Sequence, residues 1–191
     1  SYTFSDKPAG NDRVEGDPVF RDPKNGDYRI MPGSCLVGAG SVIASVTNDF
    51  MGVERATNAL TVGAFDLPDE FCCGLTFTAE NNLIGEPITF RGYVHDPLAA
   101  PSETYTYNWE ITPQGETDPA LSETLAEFTT SALAAGRYSV TLTVTRASDS
   151  ATTTFSRAPE YFYVGPATVH VNPASENPVF PYDTAATATR D

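Results

Sequence analysis

Apolar and polar residues alternate with a period of two through the middle of this chain. Tyr105, Tyr107, Trp109 and Ile111 share one parity, and Thr104, Thr106, Asn108 and Glu110 take the other. Tyr138, Val140, Leu142 and Val144 repeat the pattern against Ser139, Thr141, Thr143 and Thr145. Side chains alternate across a β-strand, so each run predicts a strand with one face for a core and one for water. Ile88, Phe90 and Val94 make a weaker third run, and Leu75 with Phe77 a fourth. Turn-forming stretches separate them at Asn81-Asn82, Asp96-Pro97, Thr112 to Pro119, Ala134 to Gly136 and Ser148 to Ser150. Short strands at this spacing predict an all-β sandwich over residues 68–166. Helical periodicity is nearly absent, and its better candidate is the short segment Leu121 to Phe128.

The runs also predict a core. Trp109 stands mid-run on the apolar parity and is expected to be buried with Val140, Leu142, Phe90 and Ile88. Tyr138 is expected at a strand edge, with its hydroxyl bonded to a backbone group as in a tyrosine corner.

The ends of the chain read differently. Asp17-Pro18, Asp22-Pro23, Asn25-Gly26, Pro32-Gly33 and Gly38-Ala39-Gly40 punctuate very short apolar pieces, none long enough for half of a sandwich. Residues 1–67 therefore predict an irregular cap or the last coil of a solenoid. Residues 167–191 are expected to open a following segment or an extended tail, with a short strand at Val169 to Val171 and a loop from Pro173 to Pro181.

Composition narrows the function classes. Hydrophobic residues make up 40% of the chain and charged ones 19%, too apolar a mix for a disordered segment. The formal charge is −14, so nucleic acid and anionic membrane surfaces are expected to be repelled. The longest mostly apolar run, Cys35 to Val46, is too short to span a bilayer. No signal peptide stands at Ser1, and the expectation is a processed chain or an excised piece of a longer one.

Three stretches carry family resemblances. Pro87-Ile-Thr-Phe90, Tyr105-Thr-Tyr-Asn-Trp109 and Ala135-Gly-Arg-Tyr-Ser-Val-Thr-Leu-Thr-Val144 resemble a polycystic-kidney-disease (PKD) domain, over about Leu75 to Arg146. That resemblance implies an immunoglobulin-like sandwich with the Trp on a central strand and the Gly-x-Tyr run beside it. The family's usual Asp-Phe-Gly-Asp-Gly after the Trp is here Glu110-Ile-Thr-Pro-Gln-Gly115, which removes the acidic turn. Gly16-Asp-Pro-Val-Phe20, Asp22-Pro-Lys-Asn-Gly-Asp-Tyr28, Pro32-Gly-Ser34, Gly38-Ala-Gly40 and Val62-Gly-Ala-Phe-Asp66 resemble the closing segment of a bacterial right-handed parallel β-helix. Val169-His-Val-Asn-Pro173 with Phe180-Pro-Tyr-Asp183 resembles the entry of another. Such proteins are large, exported and often modular. The resemblance implies a linking excerpt placed outside the cell or on its surface.

Candidate chemistry is sparse. The histidines are His95, at a strand end in Val94-His-Asp-Pro97, and His170, between Val169 and Val171. No Gly-x-Ser-x-Gly elbow accompanies them, so His95 reads as a turn residue and His170 as a solvent-facing one. Cys35, Cys72 and Cys73 lack the spacing of a zinc or redox motif; buried free thiols, or one bridge from Cys35 to Cys72 or Cys73, are the readings that remain. Calcium is the one cofactor the carboxylates would suit. Asp17, Asp22 and Asp27 recur at five-residue spacing, with Glu80 and Asp96 as weaker candidates. The same Asp-Pro and Asn-Gly pairs are what tight turns need, and turn chemistry is the favoured reading. Tyr105, Tyr107, Tyr161, Phe162 and Tyr163 are the candidate aromatic platform for a sugar, and at least one of the contiguous three must point outward if they form a strand.

No catalytic and no cofactor-binding residue is assigned. The chain is expected to be a non-catalytic spacer or adhesive module of a large surface protein, with a polysaccharide or another surface protein as partner. The alternative is an accessory carbohydrate-binding part of a secreted polysaccharide-degrading enzyme. Buried aromatics favour the first, and an exposed aromatic strip favours the second.

Overall fold

A computed structural model of the chain describes residues 14–41, 45–55 and 61–169. The tail motifs after Val169, His170 among them, lie outside the described residues. The described chain is all-β apart from one short 3-10 turn, and its strands form two packed antiparallel sheets plus a small ribbon.

The ribbon comes first: β1 (Phe20–Asp22) and β2 (Asp27–Ile30) are joined through a 3-10 turn at Pro23–Asn25. Gly26 closes that turn at φ 81°, a backbone setting that a side chain disfavours. β3 (Cys72–Ala79), β4 (Ile88–His95) and β7 (Glu127–Thr130) form one sheet in that spatial order. β6 (Leu121–Glu123), β5 (Tyr105–Pro113) and β8 (Gly136–Arg146) lie in order in the other. The far edge of β8 pairs with β9 (Thr152–Arg157) along one stretch and with β10 (Tyr163–Val164) along another.

The alternation read from the sequence sets which faces meet. Trp109, Ile111, Val140, Leu142 and Val144 are fully enclosed, as are Ile88 and Phe90 on the opposing sheet. The expected core is therefore found. Trp109 packs edge-on to Phe90 and Phe128, with ring centroids 6.1 and 5.4 Å away, and its Nε1 donates to the Leu125 carbonyl at 2.8 Å. An interior glycine makes room for it: a Cβ on Gly92 would lie 3.2 Å from the indole and 3.0 Å from Leu142. Tyr138 is 3% exposed, and its hydroxyl donates to the Ala134 carbonyl at 2.7 Å, the backbone partner expected of it.

Two expectations change. Leu121 to Phe128 is not helical: it holds β6 and the start of β7, and Leu121 pairs with Ile111 while Phe128 pairs with Phe90. Two strand edges with unpaired backbone groups outcompete a helix too short to nucleate itself. The turn expected from Thr112 begins later, because β5 continues to Pro113, opposite Tyr138.

The N-terminal segment packs on the outer face of the first sheet. β3 is buried on both sides at its start: Cys73 and Leu75 face the core, while Cys72 and Gly74 lie under the segment. A Cβ on Gly74 would stand 2.0 Å from the Pro32 carbonyl oxygen, and one on Gly33 would stand 2.4 Å from the Tyr93 ring. Val19 and Met31 belong to the same apolar cluster as the sandwich core.

Candidate functional site

Two adjoining clefts open where the N-terminal segment runs past the edge of the sandwich. The larger has a volume of about 520 Å³ and the smaller about 260 Å³. Phe20, Pro23, Arg157 and Tyr161 line both. The N-terminal ribbon supplies the first two of these residues, and the end of β9 with its following turn supplies the others.

Arg157 is the unusual residue. On β9 the inward parity holds Phe155 and Arg157, which are 4% and 6% exposed, while Thr154 and Ser156 face out. The outward pair bonds to β8, Thr154 to Thr143 at 3.0 Å and Ser156 to Thr141 at 2.9 Å. A guanidinium on the buried parity needs partners, because an unpaired buried charge is costly. Arg157 Nη2 donates to Asp17 Oδ2 at 2.8 Å, and the guanidinium lies 5.4 Å from the Phe155 ring and 5.7 Å from the Tyr161 ring. Its Nε is buried and has no hydrogen-bond partner. Lys24 bridges to Glu160 at 2.8 Å on the rim, and that carboxylate raises the lysine's pKa. Sequence reading missed Arg157. The signal was Thr152-Thr-Thr-Phe-Ser-Arg157, a β-branched run whose apolar parity ends in a cation.

The acidic candidates do not converge. Asp17 holds the Val19 N–H and Arg157; Asp22 accepts from Asn25 Nδ2 at 2.6 Å. Asp27 accepts from Arg29, whose side-chain hydrogen bonds bring the Asp27 pKa down to about 2. Asp22 thus serves a turn, Asp27 an ion pair, and Asp17 both. Glu80 and Asp96 follow opposite ends of the β3–β4 hairpin. Asp96 accepts twice from Arg146 Nη1, at 3.0 and 2.8 Å, and once from the Tyr105 hydroxyl at 3.2 Å. Its carboxylate is thus engaged away from His95, which ends β4 opposite Cys72. Among the described residues no group of three His, Cys, Asp or Glu side chains is placed to hold a metal ion.

All three cysteines are free, so of the two readings the thiol one stands. Cys72 and Cys73 are buried, and burial pushes their pKa up to about 12 and about 11. Cys73 Sγ lies 3.7 Å from the Leu142 carbonyl and 3.6 Å from that of Thr153, across the sandwich. The thiolate is the reactive form, so iodoacetamide at neutral pH should label at most Cys35 in the native protein and all three in urea. Mass spectrometry counts the adducts, and native labelling of Cys72 or Cys73 would contradict the packing described.

The aromatic candidates separate. Phe162 is enclosed, and Tyr105 and Tyr107 pack half-buried against the core. Tyr161 and Tyr163 point outward, 41% and 45% exposed, and Tyr161 lines the clefts. No protein-family model, curated protein or solved structure matches this chain.

Proposed function

We propose that this chain is a non-catalytic structural module of a large exported or surface protein, a stiff spacer built around an immunoglobulin-like sandwich of the PKD type. The observation that carries the reading is the docking of the N-terminal segment. Pro32 and Gly33 sit on Gly74 and Tyr93 with no room for a Cβ, and Val19 and Met31 share the sandwich's apolar cluster. A segment held this way cannot swivel as a flexible linker does, so a load or a distance passes through it.

The immunoglobulin-like assignment is supported by connectivity and by two residues. Sheets ordered β3-β4-β7 and β6-β5-β8-β9 parallel the two sheets of that fold, with β5 and β8 as the central strands of the second. The lone Trp lies on β5, and Tyr138 makes the corner hydrogen bond of β8. The β-helix resemblance of the N-terminal segment rests on its residues; its regular part is an antiparallel ribbon. Among the described residues no helix is long and apolar enough to cross a membrane.

The alternative, an accessory carbohydrate-binding part, draws on the outward Tyr161 and Tyr163. Catalysis requires a positioned base, acid or nucleophile converging on one point. Of the described candidates, Asp96 is engaged by Arg146 and Tyr105, and burial holds the Cys72 and Cys73 thiols protonated. The expected result is no release of reducing ends or unsaturated products from a panel of plant, algal and mucosal polysaccharides, with or without calcium. Activity of the purified chain that is lost in a His95→Ala, Asp96→Ala double variant would overturn the non-enzyme reading.

A further inference from the structure

We propose that the cleft at Arg157 is a binding site for the carboxylate of an acidic sugar, a uronic-acid residue of an anionic polysaccharide. Arg157 carries the argument. It is buried on the inward parity of β9, it lines both clefts, and its Nε has no partner. A guanidinium offers five N–H donors in a planar fork that matches a carboxylate edge to edge. Asp17 occupies Nη2 on one side, and the Phe155 and Tyr161 rings restrict the plane. The guanidinium is therefore held in place before a ligand arrives, which lowers the entropy cost of binding.

The surroundings suit a sugar ring. The larger cleft, about 520 Å³, lies within the usual range of small-ligand sites, and Tyr161, a 41% exposed residue, lines it with its ring beside the guanidinium. Asn25 and Ser156 also line it, with their side chains bonded to Asp22 and Thr141. A uronate has the two remaining complements in one unit: a carboxylate and a C–H face. Arg21, Lys24 and Arg157 line this cleft together with Asp22 and Glu70, and Asp17 and Glu160 pair with Arg157 and Lys24, so recognition rests on the placed guanidinium and not on a net positive field. The site goes beyond the spacer reading, and a spacer without a ligand would fail the test below while keeping its docked segment.

The test is titration of the whole chain with di- and trigalacturonate, followed by calorimetry and by amide chemical shifts. Methyl-esterified galacturonate, neutral galactose oligomers and a short peptide with a free C-terminal carboxylate run alongside. Saturable binding of the acids is expected, with shifts centred on Asn25, Arg157 and Tyr161. Esterification should weaken it about tenfold or more, the factor for one lost charge-assisted contact. Arg157→Gln should abolish binding. That variant also cuts the link to Asp17, so Tyr161→Ala, which leaves that link in place, serves as the second variant: weaker binding with a thermal melt lowered by less than in Arg157→Gln. Arg91→Gln, on a residue outside the cleft that pairs with Glu127, should bind as the wild type does. No saturation by about 10 mM ligand, a range that still detects very weak sites, would overturn the proposal. Equal binding of acid and ester, undiminished binding by Tyr161→Ala, or tighter binding of the peptide would overturn it as well.

Discussion

Replacing Trp109 with Ala should destabilise the protein by about 3–5 kcal/mol, the usual cost of removing a large enclosed aromatic. The indole is wholly enclosed, contacts Phe90 and Phe128, and donates to the Leu125 carbonyl across a loop. Four separate stretches, β4, β5, β7 and the turn before β7, therefore meet on one side chain. Since whole domains are stable by only about 5–15 kcal/mol, the variant should be partly unfolded or close to it at room temperature. Trp109→Phe keeps most of the ring and loses the hydrogen bond, so it should cost less. Urea titration followed by far-ultraviolet circular dichroism reads both variants. The native protein supplies a check of its own, because its only Trp should emit as a shielded indole. Emission fully quenched by a water-soluble quencher would remove the assignment.

Gly74→Ala should release the N-terminal segment from the sandwich. One methyl at this position meets backbone, the Pro32 carbonyl oxygen at 2.0 Å and its carbon at 3.0 Å, and no rotamer change relieves that. Ala is otherwise at ease in a strand, so the effect isolates the docking contact. Overpacking of this kind costs about 1–3 kcal/mol. The amides of Met31 and Cys35 report it, since they donate to Val19 and Asp17 within the segment at 2.9 and 3.0 Å. Their hydrogen exchange should quicken by about tenfold to a hundredfold, while amides of the β5–β8 ladder hold their protection. Uniform loss of protection would mean that the whole fold had weakened, and no change would mean that the segment is not held at Gly74. The second outcome would also remove the main support for the spacer reading.

The sandwich was legible from the sequence because a strand's period is two and its consequence is binary. Tyr138, Val140, Leu142 and Val144 can all face the core only if Ser139, Thr141 and Thr143 all face out, and they do. A large lone Trp on the apolar parity has one sensible destination. Tyr138, preceded by Gly136-Arg137, takes the corner role for a similarly local reason: its hydroxyl reaches a carbonyl four residues upstream.

Tertiary structure alone decided the rest, wherever the deciding partner is remote in sequence. Leu121 to Phe128 is too short for periodicity to separate helix from strand, and the open edges of β5 and β4 made the choice. Gly74 reads as a weak point in a strand until Pro32, far upstream, is seen to need the space. Phe162 and Tyr161 are adjacent and equally aromatic, yet one fills the core and the other lines a cleft, because the chain passes over Tyr138 at that point. Arg157 joins Asp17 across 140 positions, a pairing no local pattern encodes. Alternation specifies which face of a strand is buried; what covers its ends and edges depends on contacts that exist only after the chain has folded back on itself.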